Sequence, residues 1–495
     1  MDSYESLERL DEDKVSREAK EMMDFLASRI IGQNHAIRQI ADAYEIFRSD
    51  FREPNHPIAT LMFLGPSGSG KTHAVEALAE FLFGDQNAMV KVNCAELKHS
   101  HEIARLIGAP PGYIGFTDAE DKTSSHPILS NWNIYKHHME FFHQKYKAEE
   151  EEMDVLEAER YKIGQQRAAL LKRAHEVRNL IKDLPEKQKN LQNEVDALAG
   201  DPNLFADRKK VHRLQGKLKE LRKLDDSGDV YGKEFRNVLT VLNEMAGKIK
   251  EINEKIEKLR AVFGSGILDW DGEGEVPKNL TGIVLFDELE KADEALHHLL
   301  YEILDKGQLV TSNGSEVNLK NCFIFMTGNV ASEQIAQMLN DNRLGFKKSR
   351  SVFINKEEIG NKIYEAAMEA AGEVFPAPML GRMDSIEVFR PFNRSEMEQI
   401  FDIQLRLLDG DLVKKSINVK VEISPETKNY LVSRSMKHME WGARLLNQRV
   451  RKYIRLKMIR LMITKQLDPG DTLVVWMEGD KMVFSKKATK TAPDV

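Results

Sequence analysis

The feature that most constrains the fold of this chain is a glycine-rich turn, GPSGSGKT, at residues 65–72. The apolar run ATLMFL precedes it at residues 59–64, and the segment HAVEALAEFLF after it has apolar residues at helical spacing. A strand, a glycine-rich loop and a helix in that order match the phosphate-binding pattern G-x-x-x-x-G-K-[ST]. The chain must therefore contain at least one strand–loop–helix unit with a phosphate site at its turn.

All residues of this turn contribute to the predicted phosphate site. They are Gly65, Pro66, Ser67, Gly68, Ser69, Gly70, Lys71 and Thr72. The glycines let backbone N–H groups surround the phosphates, and the helix N-terminus favours their charge. We expect Lys71 to reach the outer phosphates and Thr72 to supply an oxygen ligand to Mg²⁺.

Four further apolar runs indicate the other strands of a sheet. They lie at residues 88–92, 282–286, 322–326 and 385–389, with helical patterns before or between them. Strands that do not alternate polar and apolar residues, and that are separated by helices, are typical of a parallel sheet covered on both faces. The predicted fold class is therefore α/β.

Two adjacent carboxylates, Asp287 and Glu288, follow the apolar run that ends at Phe286. The carboxyl ends of parallel strands are where such sheets bind ligands. We expect Asp287 to hold Mg²⁺ through water and Glu288 to polarise an attacking water. An acidic helix N-cap is the alternative for either residue.

A charged helical segment, residues 138–275, interrupts the α/β pattern. Coiled-coil spacing links Val238, Leu242, Met245, Ile249, Ile252, Ile256 and Leu259, and shorter stripes occur at Val211, Leu214, Leu218 and Leu221 and at Leu156, Ile163, Leu170 and Val177. We expect breaks at Pro185, at residues 199–205 and at residues 225–229, which would divide the segment into antiparallel arms. Solvated single helices are the alternative.

The remaining boundaries follow from changes of pattern. Two apolar runs flanking MEGD near the C-terminus predict a hairpin. The predicted organisation is an N-terminal segment (1–20), a large α/β subdomain in two parts (21–137 and 276–391), the coiled-coil insert (138–275), a helical subdomain with the C-terminal strands (392–485) and a disordered tail (486–495).

Composition argues against nucleic-acid binding, disulfide bonds and membrane insertion. A net charge of −7 argues against a general nucleic-acid binder. Cys94 and Cys322 each adjoin a strand-like run, so two buried thiols are favoured over a disulfide. No apolar run approaches the ~20 residues of a membrane span, and the acidic N-terminus does not read as a signal peptide. We expect a soluble cytoplasmic protein without membrane insertion.

One predicted loop contains aromatic side chains, which usually lie in helices or strands that bury them. The stretch GAPPGYIGF, residues 108–116, is too rich in glycine and proline for a helix, yet it contains Tyr113 and Phe116. A ring on such a loop is either a plug for a turn or a group that contacts a ligand.

Seven motifs in order resemble the Clp unfoldase and disaggregase family of AAA+ ATPases, particularly its second ATPase ring. They are RIIGQNHAIRQIADA, LGPSGSGKT, RLIGAPPGYIGF, VLFDELEKAD, MTGN, LGRMDSIEVFRPF and WGARLLNQRV. The similarity covers about residues 20–485 except the insert. It implies a P-loop AAA+ sheet with a small helical lid. It further implies a ring, usually a hexamer, that hydrolyses ATP with Mg²⁺ between subunits and pulls protein substrates through a central pore.

The resemblance assigns roles to residues that match its motifs. Ile31 and Gly32 look like the wall beside the adenine, and Asn329 like the polar group that senses the γ-phosphate, although it could be a turn former. Arg382 matches the arginine finger that reaches a neighbouring subunit's ATP, with a local ion pair to Asp384 as the alternative. Arg444 resembles the second sensor, on the lid, with a surface role as the alternative.

The same resemblance answers the question raised by Tyr113. Gly112, Tyr113, Ile114 and Gly115 look like the pore loop, in which an aromatic ring grips a translocating chain. Packing of a ring needs no particular substrate sequence, which suits a motor that acts on many side chains.

Three features depart from the family's pattern. Pro376 stands where an arginine is common, and the coiled coil interrupts the ATPase core instead of lying on a first ring. Leu344, Gly345 and Phe346 lie where peptidase-dependent relatives carry a docking tripeptide, but an apolar tripeptide in a loop is common, so peptidase docking is the less favoured interpretation.

Two functions therefore remain open. The first is an ATP-driven protein-remodelling ring with a pore lined by Tyr113. The second is a nucleotide-switched scaffold that recruits an unknown partner through its coiled coil. An aromatic residue between hinge glycines favours the first.

Overall fold

The computed structural model describes residues 11–12, 14–49, 51–108, 127–200, 208–263, 267, 270–272, 274–330, 332, 334–335, 356–414 and 417–487. The chain divides into two compact units. Residues Phe142–Asp269 form one, and the segments before and after them form the other.

The strands and helices of the described residues are numbered in chain order. The strands are β1 (Ala59–Leu64), β2 (Val90–Asn93), β3 (Gly282–Asp287), β4 (Gln308–Val310), β5 (Glu316–Asn318), β6 (Cys322–Gly328), β7 (Ser385–Val388), β8 (Lys420–Ile423), β9 (Thr472–Glu478) and β10 (Lys481–Lys487). The helices are α1 (Arg17–Arg29), α2 (Asn34–Arg48), α3 (Lys71–Phe83), α4 (Ala104–Ile107), α5 (Asn131–Lys145), α6 (Lys147–Ala199), α7 (Arg208–Phe263), α8 (Glu294–Lys306), α9 (Lys356–Val374), α10 (Ala377–Leu380), α11 (Arg394–Lys414), α12 (Pro425–Ser435), α13 (Gly442–Arg449) and α14 (Leu456–Ile463).

The larger unit is built on a five-stranded sheet in the order β2-β3-β6-β1-β7. Every neighbouring pair in it is parallel. All residues of β1 and β6 are buried, so both faces of the sheet are covered. The predicted α/β fold class is confirmed, and each of the five strands overlaps one of the five predicted apolar runs.

The register of the sheet brings the predicted site residues to one edge. Leu64 lies opposite Gly328, and Asn93 lies opposite Asp287. Because the strands are parallel, the turn after β1, the carboxylates after β3 and the segment after β6 all emerge on the same side. This edge carries the candidate site.

A smaller lid subdomain follows the sheet. Its core contains buried apolar residues of α11 to α13, among them Phe401, Leu431 and Leu446, and Ile454 of the π-helical turn between α13 and α14. The predicted C-terminal hairpin is confirmed, because β9 and β10 are antiparallel with Glu478 opposite Lys481. The structure adds β8, which pairs with β9 in parallel and was not predicted.

The second unit is an antiparallel helical hairpin. Leu156 and Ile163 of α6 form a buried cluster with Ile252 and Ile256 of α7. Cross-helix contacts run in opposite directions along the chain, from Arg160 with Asn253 to Gln188 with Asp225. The predicted antiparallel coiled coil is confirmed.

Two predicted breaks in the insert are wrong. Helix α6 continues through Pro185, and α7 continues through residues 225–229. An internal proline costs about 3 kcal/mol through a lost hydrogen bond and a clash. Pro185 is exposed, whereas its neighbour Leu184 is buried and lies 3.8 Å from the position of a Cβ on Gly228. Packing of the two helices at this point offsets the cost and keeps both of them continuous.

Two smaller expectations concern the cysteines and the membrane. Cys94 and Cys322 are free and buried, as predicted. In the part of the chain that the structure describes, no helix has the length and apolar character needed to cross a bilayer.

Candidate functional site

A cavity of about 390 Å³ lies at the carboxyl edge of the sheet, between the glycine-rich turn and the lid. The residues on the sheet side include most of those predicted from the sequence. The residues on the lid side are mostly apolar, and two of them, Gln404 and Asn447, carry side-chain amides. The lining includes Ile30, Ile31, Ser67, Gly68, Ser69, Gly70, Lys71, Thr72, Lys91, Asp287, Glu288, Thr327, Asn329, Phe392, Ile400, Ile403, Gln404, Ala443, Arg444 and Asn447. Most of the predicted site residues therefore surround one space.

The glycines of the turn are required by close backbone approach. A Cβ on Gly65 would lie 2.3 Å from the carbonyl oxygen of Phe389, and one on Gly68 would lie 2.4 Å from that of Trp441. Both glycines also have positive φ, as does Gly70 where α3 begins. Since the first N–H groups of a helix have no partner within it, the start of α3 can offer N–H donors to a ligand in the cavity.

Lys71 is buried against the turn that precedes it. Its Nζ donates to the carbonyl oxygens of Gly65 at 2.7 Å and Pro66 at 3.0 Å, and to Asn329 Oδ1 at 2.9 Å. Burial lowers the pKa of Lys71 from 10.5 to about 8, although the carboxylates of Glu290 and Asp287 oppose this change. A phosphate group would restore the solvation that this ammonium group has lost.

Asp287 lies at the centre of a network of donors. Its Oδ1 accepts from Thr327 Oγ1 at 2.6 Å and from Thr72 Oγ1 at 3.1 Å, while its Oδ2 lies 2.9 Å from Lys91 Nζ. Burial alone would raise the pKa of Asp287, but these contacts outweigh it and hold the pKa below its usual value. The carboxyl group is therefore ionised at neutral pH and attracts cations.

These oxygens fit a magnesium ion. Thr72 Oγ1 and Asp287 Oδ1 lie 3.1 Å apart, and Mg²⁺ prefers oxygen ligands. Among the described residues, no three His, Cys, Asp or Glu side chains form a metal-binding group. A metal here would take its remaining ligands from water and phosphate, as Mg²⁺ usually does at nucleotide sites.

Glu288 and Asn329 lie beside the lysine. Asn329 Nδ2 donates to Glu288 Oε1 at 3.3 Å, so its amide links Lys71 to the carboxylate. Glu288 also pairs with Lys291, and its backbone adopts φ +60° with its N–H donating to Thr327. Its side chain makes no helix-capping hydrogen bond, so the capping alternative does not describe this residue. Such a positive φ in a non-glycine residue is typical of a functional site.

The lid closes the cavity through one arginine and an apolar wall. Arg444 Nη1 donates to Ser67 Oγ at 2.6 Å, which ties α13 to the glycine-rich turn. Ile31 lines the cavity and packs against the lid core. Gly32 has φ +75°, and a Cβ there would lie 2.7 Å from Glu396 Oε1. Gly32 thus sets the turn that presents Ile31, and it does not itself line the cavity.

Arg382 is the one predicted catalytic residue outside this cavity. Its Nε pairs with Asp305 and its Nη1 donates to the carbonyl oxygen of Pro378. The alternative partner Asp384 instead accepts from the N–H and Oγ1 of Thr60. Arg382 therefore does not reach the chain's own site, and the ion pair suggested by sequence proximity is absent.

Among the residues that sequence reasoning did not assign to the site, three polar ones contact its predicted members. Thr327 Oγ1 donates to Asp287 Oδ1 and accepts from the backbone N–H of Glu288. Lys91 pairs with Asp287, and Gln33 Nε2 donates to the carbonyl oxygen of Ser69 at 3.2 Å. Gln33 belongs to the motif RIIGQNHAIRQIADA and Thr327 to the motif MTGN. Nothing in the sequence pattern separates Lys91 from other strand lysines.

Two groups of predicted residues lie outside the described residues. They are the loop Gly112, Tyr113, Ile114 and Gly115, and the tripeptide Leu344, Gly345 and Phe346.

Family models match most of the larger unit. The model of an AAA domain (Cdc48 subfamily) matches residues 56–128 and 249–386. The model of the C-terminal, D2-small domain of ClpB protein matches residues 392–475. The two segments of the first match lie on either side of residues 129–248, which contain most of the helical hairpin.

Curated relatives resemble the chain over nearly its whole length. Chaperone protein ClpB of Aquifex aeolicus is 23% identical over 483 residues, which are 97% of this chain and 31% of the relative. Chloroplastic chaperone protein ClpC of Pisum sativum is 22% identical over 97% of this chain and 36% of the relative. The chain thus spans about a third of the length of such relatives.

A solved structure supports the fold. The closed state of Hsp104 with ATPγS and FITC casein aligns with a TM-score of 0.53 and 18% identity, covering 96% of this chain and 53% of that one.

Proposed function

Because the chain belongs to the Clp-type AAA+ family, we propose that it binds ATP with Mg²⁺, hydrolyses it and uses the energy to remodel proteins. The observation that carries this proposal is the convergence of Lys71, Asp287, Glu288, Asn329 and Arg444 on one cavity. In this set Lys71 binds phosphate, Asp287 is the metal-binding carboxylate and Glu288 is the base. Asn329 of the large subdomain and Arg444 of the lid are the two sensors.

Each side chain has a part in the proposed hydrolysis. Lys71 and the N–H groups of the turn bind the outer phosphates. Thr72 and Asp287 would hold Mg²⁺, which screens phosphate charge when bound. Glu288 polarises the attacking water, and Asn329 keeps the Glu288 carboxylate next to Lys71.

The site is completed by a second copy of the chain. Arg382 lies outside its own cavity, and an arginine finger acts on a neighbour's nucleotide. We therefore propose a homo-oligomeric ring, hexameric as the resemblance implies, with Tyr113 facing a pore that takes protein substrates. We further propose a cytoplasmic location and an additional partner for the helical hairpin; peptidase docking through Leu344, Gly345 and Phe346 remains the less favoured alternative.

The test compares two variants that affect different steps. Lys71→Ala should abolish nucleotide binding, whereas Glu288→Gln should bind ATP and lose nearly all turnover, because only the former removes the phosphate cradle. Glu365→Gln, on an exposed position of α9, is the matched control and should keep wild-type turnover. Near-normal hydrolysis by Glu288→Gln would overturn the assignment.

Imaging of the Glu288→Gln protein with ATP tests the ring. A ring with density in its pore supports remodelling by threading. Tyr113→Ala should then retain ATPase activity and lose unfolding of a tagged model substrate. If this variant unfolds the substrate normally, the nucleotide-switched scaffold is the better description.

A further inference from the structure

Lys91 lies on the edge strand β2, and its side chain reaches Asp287 of the neighbouring strand β3. Val90 and Val92 are buried, whereas Lys91 and Asn93 point to the exposed side. Lys91 lies opposite Leu285, two residues before Asp287 on β3. The long lysine stem spans this offset of roughly 7 Å and places Nζ 2.9 Å from Asp287 Oδ2.

The two oxygens of Asp287 are used differently. Oδ1 accepts hydrogen bonds from two threonine hydroxyls, while Oδ2 is paired with the lysine. An ammonium group therefore neutralises this carboxylate through Oδ2, while Oδ1 and Thr72 Oγ1 are the oxygens that fit a metal. Lys91 also lines the cavity beside Thr72, the other proposed metal ligand.

We propose that Lys91 substitutes for the charge of the metal: it neutralises Asp287 in the nucleotide-free chain and leaves the carboxylate when a divalent cation enters with the nucleotide. This rests on the proposed nucleotide-binding function. Two cations beside one carboxylate repel each other, and the lysine is the mobile one. Its side chain is 43% exposed, whereas that of Asp287 is 18% exposed. A hydrated ammonium group on a flexible stem can move into solvent at little cost.

The proposal makes Lys91 a residue that sets the metal dependence of nucleotide binding. In the absence of metal, Lys91 shields the approaching phosphates from a negative carboxylate. When metal is present, Lys91 competes with it for the same carboxylate, through Oδ2 instead of Oδ1. Removing the charge of Lys91 should therefore weaken nucleotide binding in the absence of metal and lower the Mg²⁺ concentration needed for metal-dependent binding.

The first experiment measures binding of a fluorescent ATP analogue to Glu288→Gln protein while MgCl₂ is raised from an EDTA-buffered baseline. We expect Lys91→Met to lower the half-saturating Mg²⁺ concentration by about three- to tenfold and to weaken metal-free binding by a similar factor, the range of a partly exposed ion pair. Lys91→Arg, which keeps the charge, should stay near the parent. Lys98→Met, at an exposed position that does not line the cavity, is the control.

The second experiment needs no nucleotide. Acetylation of Lys91 by a soluble ester, followed by mass spectrometry, should be slower in the nucleotide-free wild type than in Asp287→Asn, where the lysine loses its partner. Equal rates would overturn the proposal even if nucleotide binding is normal. An unchanged Mg²⁺ dependence in Lys91→Met would also overturn it, as would equal weakening with and without metal, which would show that Lys91 binds phosphate. If the wild type acetylates slowly yet binds no nucleotide, the proposed function fails and with it the exchange with metal.

Discussion

Nucleotide affinity should fall above pH 8 because of one buried lysine. Lys71 is only 7% exposed, and its ammonium group has exchanged water for three oxygen acceptors. This burial lowers its pKa from 10.5 to about 8. Phosphate binds the charged form, so the population of that form controls binding in this pH range.

The magnitude follows from the pKa. With a pKa of about 8, the charged fraction of Lys71 is about nine tenths at pH 7, half at pH 8 and one tenth at pH 9. The affinity should therefore drop about fivefold from pH 8 to pH 9, and about tenfold over the next pH unit.

The nucleotide-free protein should show the opposite trend in stability. The folded-state pKa lies below the unfolded value, so between about pH 8 and 10.5 the unfolded chain binds more protons than the folded chain. The free energy of unfolding then rises with pH in this window. Lys71 alone contributes about 3 kcal/mol to that rise, as an order of magnitude.

The assay uses Glu288→Gln protein to prevent turnover, with binding of a fluorescent ATP analogue measured from pH 7 to 10 at saturating MgCl₂. The same background with Lys71→Arg is the control, because arginine stays charged throughout this range. Its affinity should be nearly independent of pH, whatever its absolute value. A flat profile for the Lys71 protein between pH 7 and 9.5, or an equal decline in the arginine variant, would refute the reasoning.

Two further predictions follow from the geometry of the site. Arg382→Ala should bind ATP normally and lose hydrolysis, and mixing it with Lys71→Ala subunits should restore part of the activity; full turnover by a dilute monomer would contradict action on a neighbour. Gly68→Ala should weaken nucleotide binding at least tenfold, because the new Cβ would meet the carbonyl oxygen of Trp441 at 2.4 Å in a left-handed backbone. The control Gly372→Ala on α9 has open space around the new Cβ and should raise the free energy of unfolding by about 0.5–1 kcal/mol. Equal binding by Gly68→Ala and the parent, measured by calorimetry, would show that the lid can retreat from the turn.

The sheet and the centre of the site could be predicted because both depend on local patterns. A fully buried parallel strand reads as an apolar run, and a phosphate turn needs glycines at fixed positions. Once the strands are parallel, residues that follow them must meet at one edge. Lys71, Asp287 and Asn329 therefore come together without any knowledge of side-chain contacts.

Contacts between side chains that are distant in sequence could not be predicted in this way. Arg382 was given Asp384 as its alternative partner because the two are neighbours in sequence, yet Asp384 bonds to Thr60 of β1 and Arg382 pairs with Asp305 of α8. Lys91 is similar, since its partner Asp287 lies on another strand. Only the tertiary arrangement determines which of several nearby charges a flexible side chain reaches.

In the insert, the wrong prediction of a helix break at residues 225–229 changed the heptad assignment of the whole helix α7. Residues 225–229 were expected to end a helix, so the apolar stripes on either side of them were counted separately. Because α7 is continuous, the spacing of Val238 and Leu242 extends backwards without interruption and places Gly228 and Lys217 on the seam. Leu218, which was assigned to the stripe, is accordingly 42% exposed.

The structure also shows why a lysine is tolerated at that seam position. Lys217 Nζ lies 3.2 Å from Glu194 on α6 and 3.1 Å from Glu220 on its own helix, and its side chain is 27% exposed. A charged group at a single seam position lowers stability but penalises other registers, because a shifted hairpin would remove the contact with Glu194 and leave the ammonium group only Glu220 of its own helix. The contact with Glu194 therefore favours the observed pairing of α6 with α7 over sliding by one heptad, which the repeated apolar spacing alone would permit.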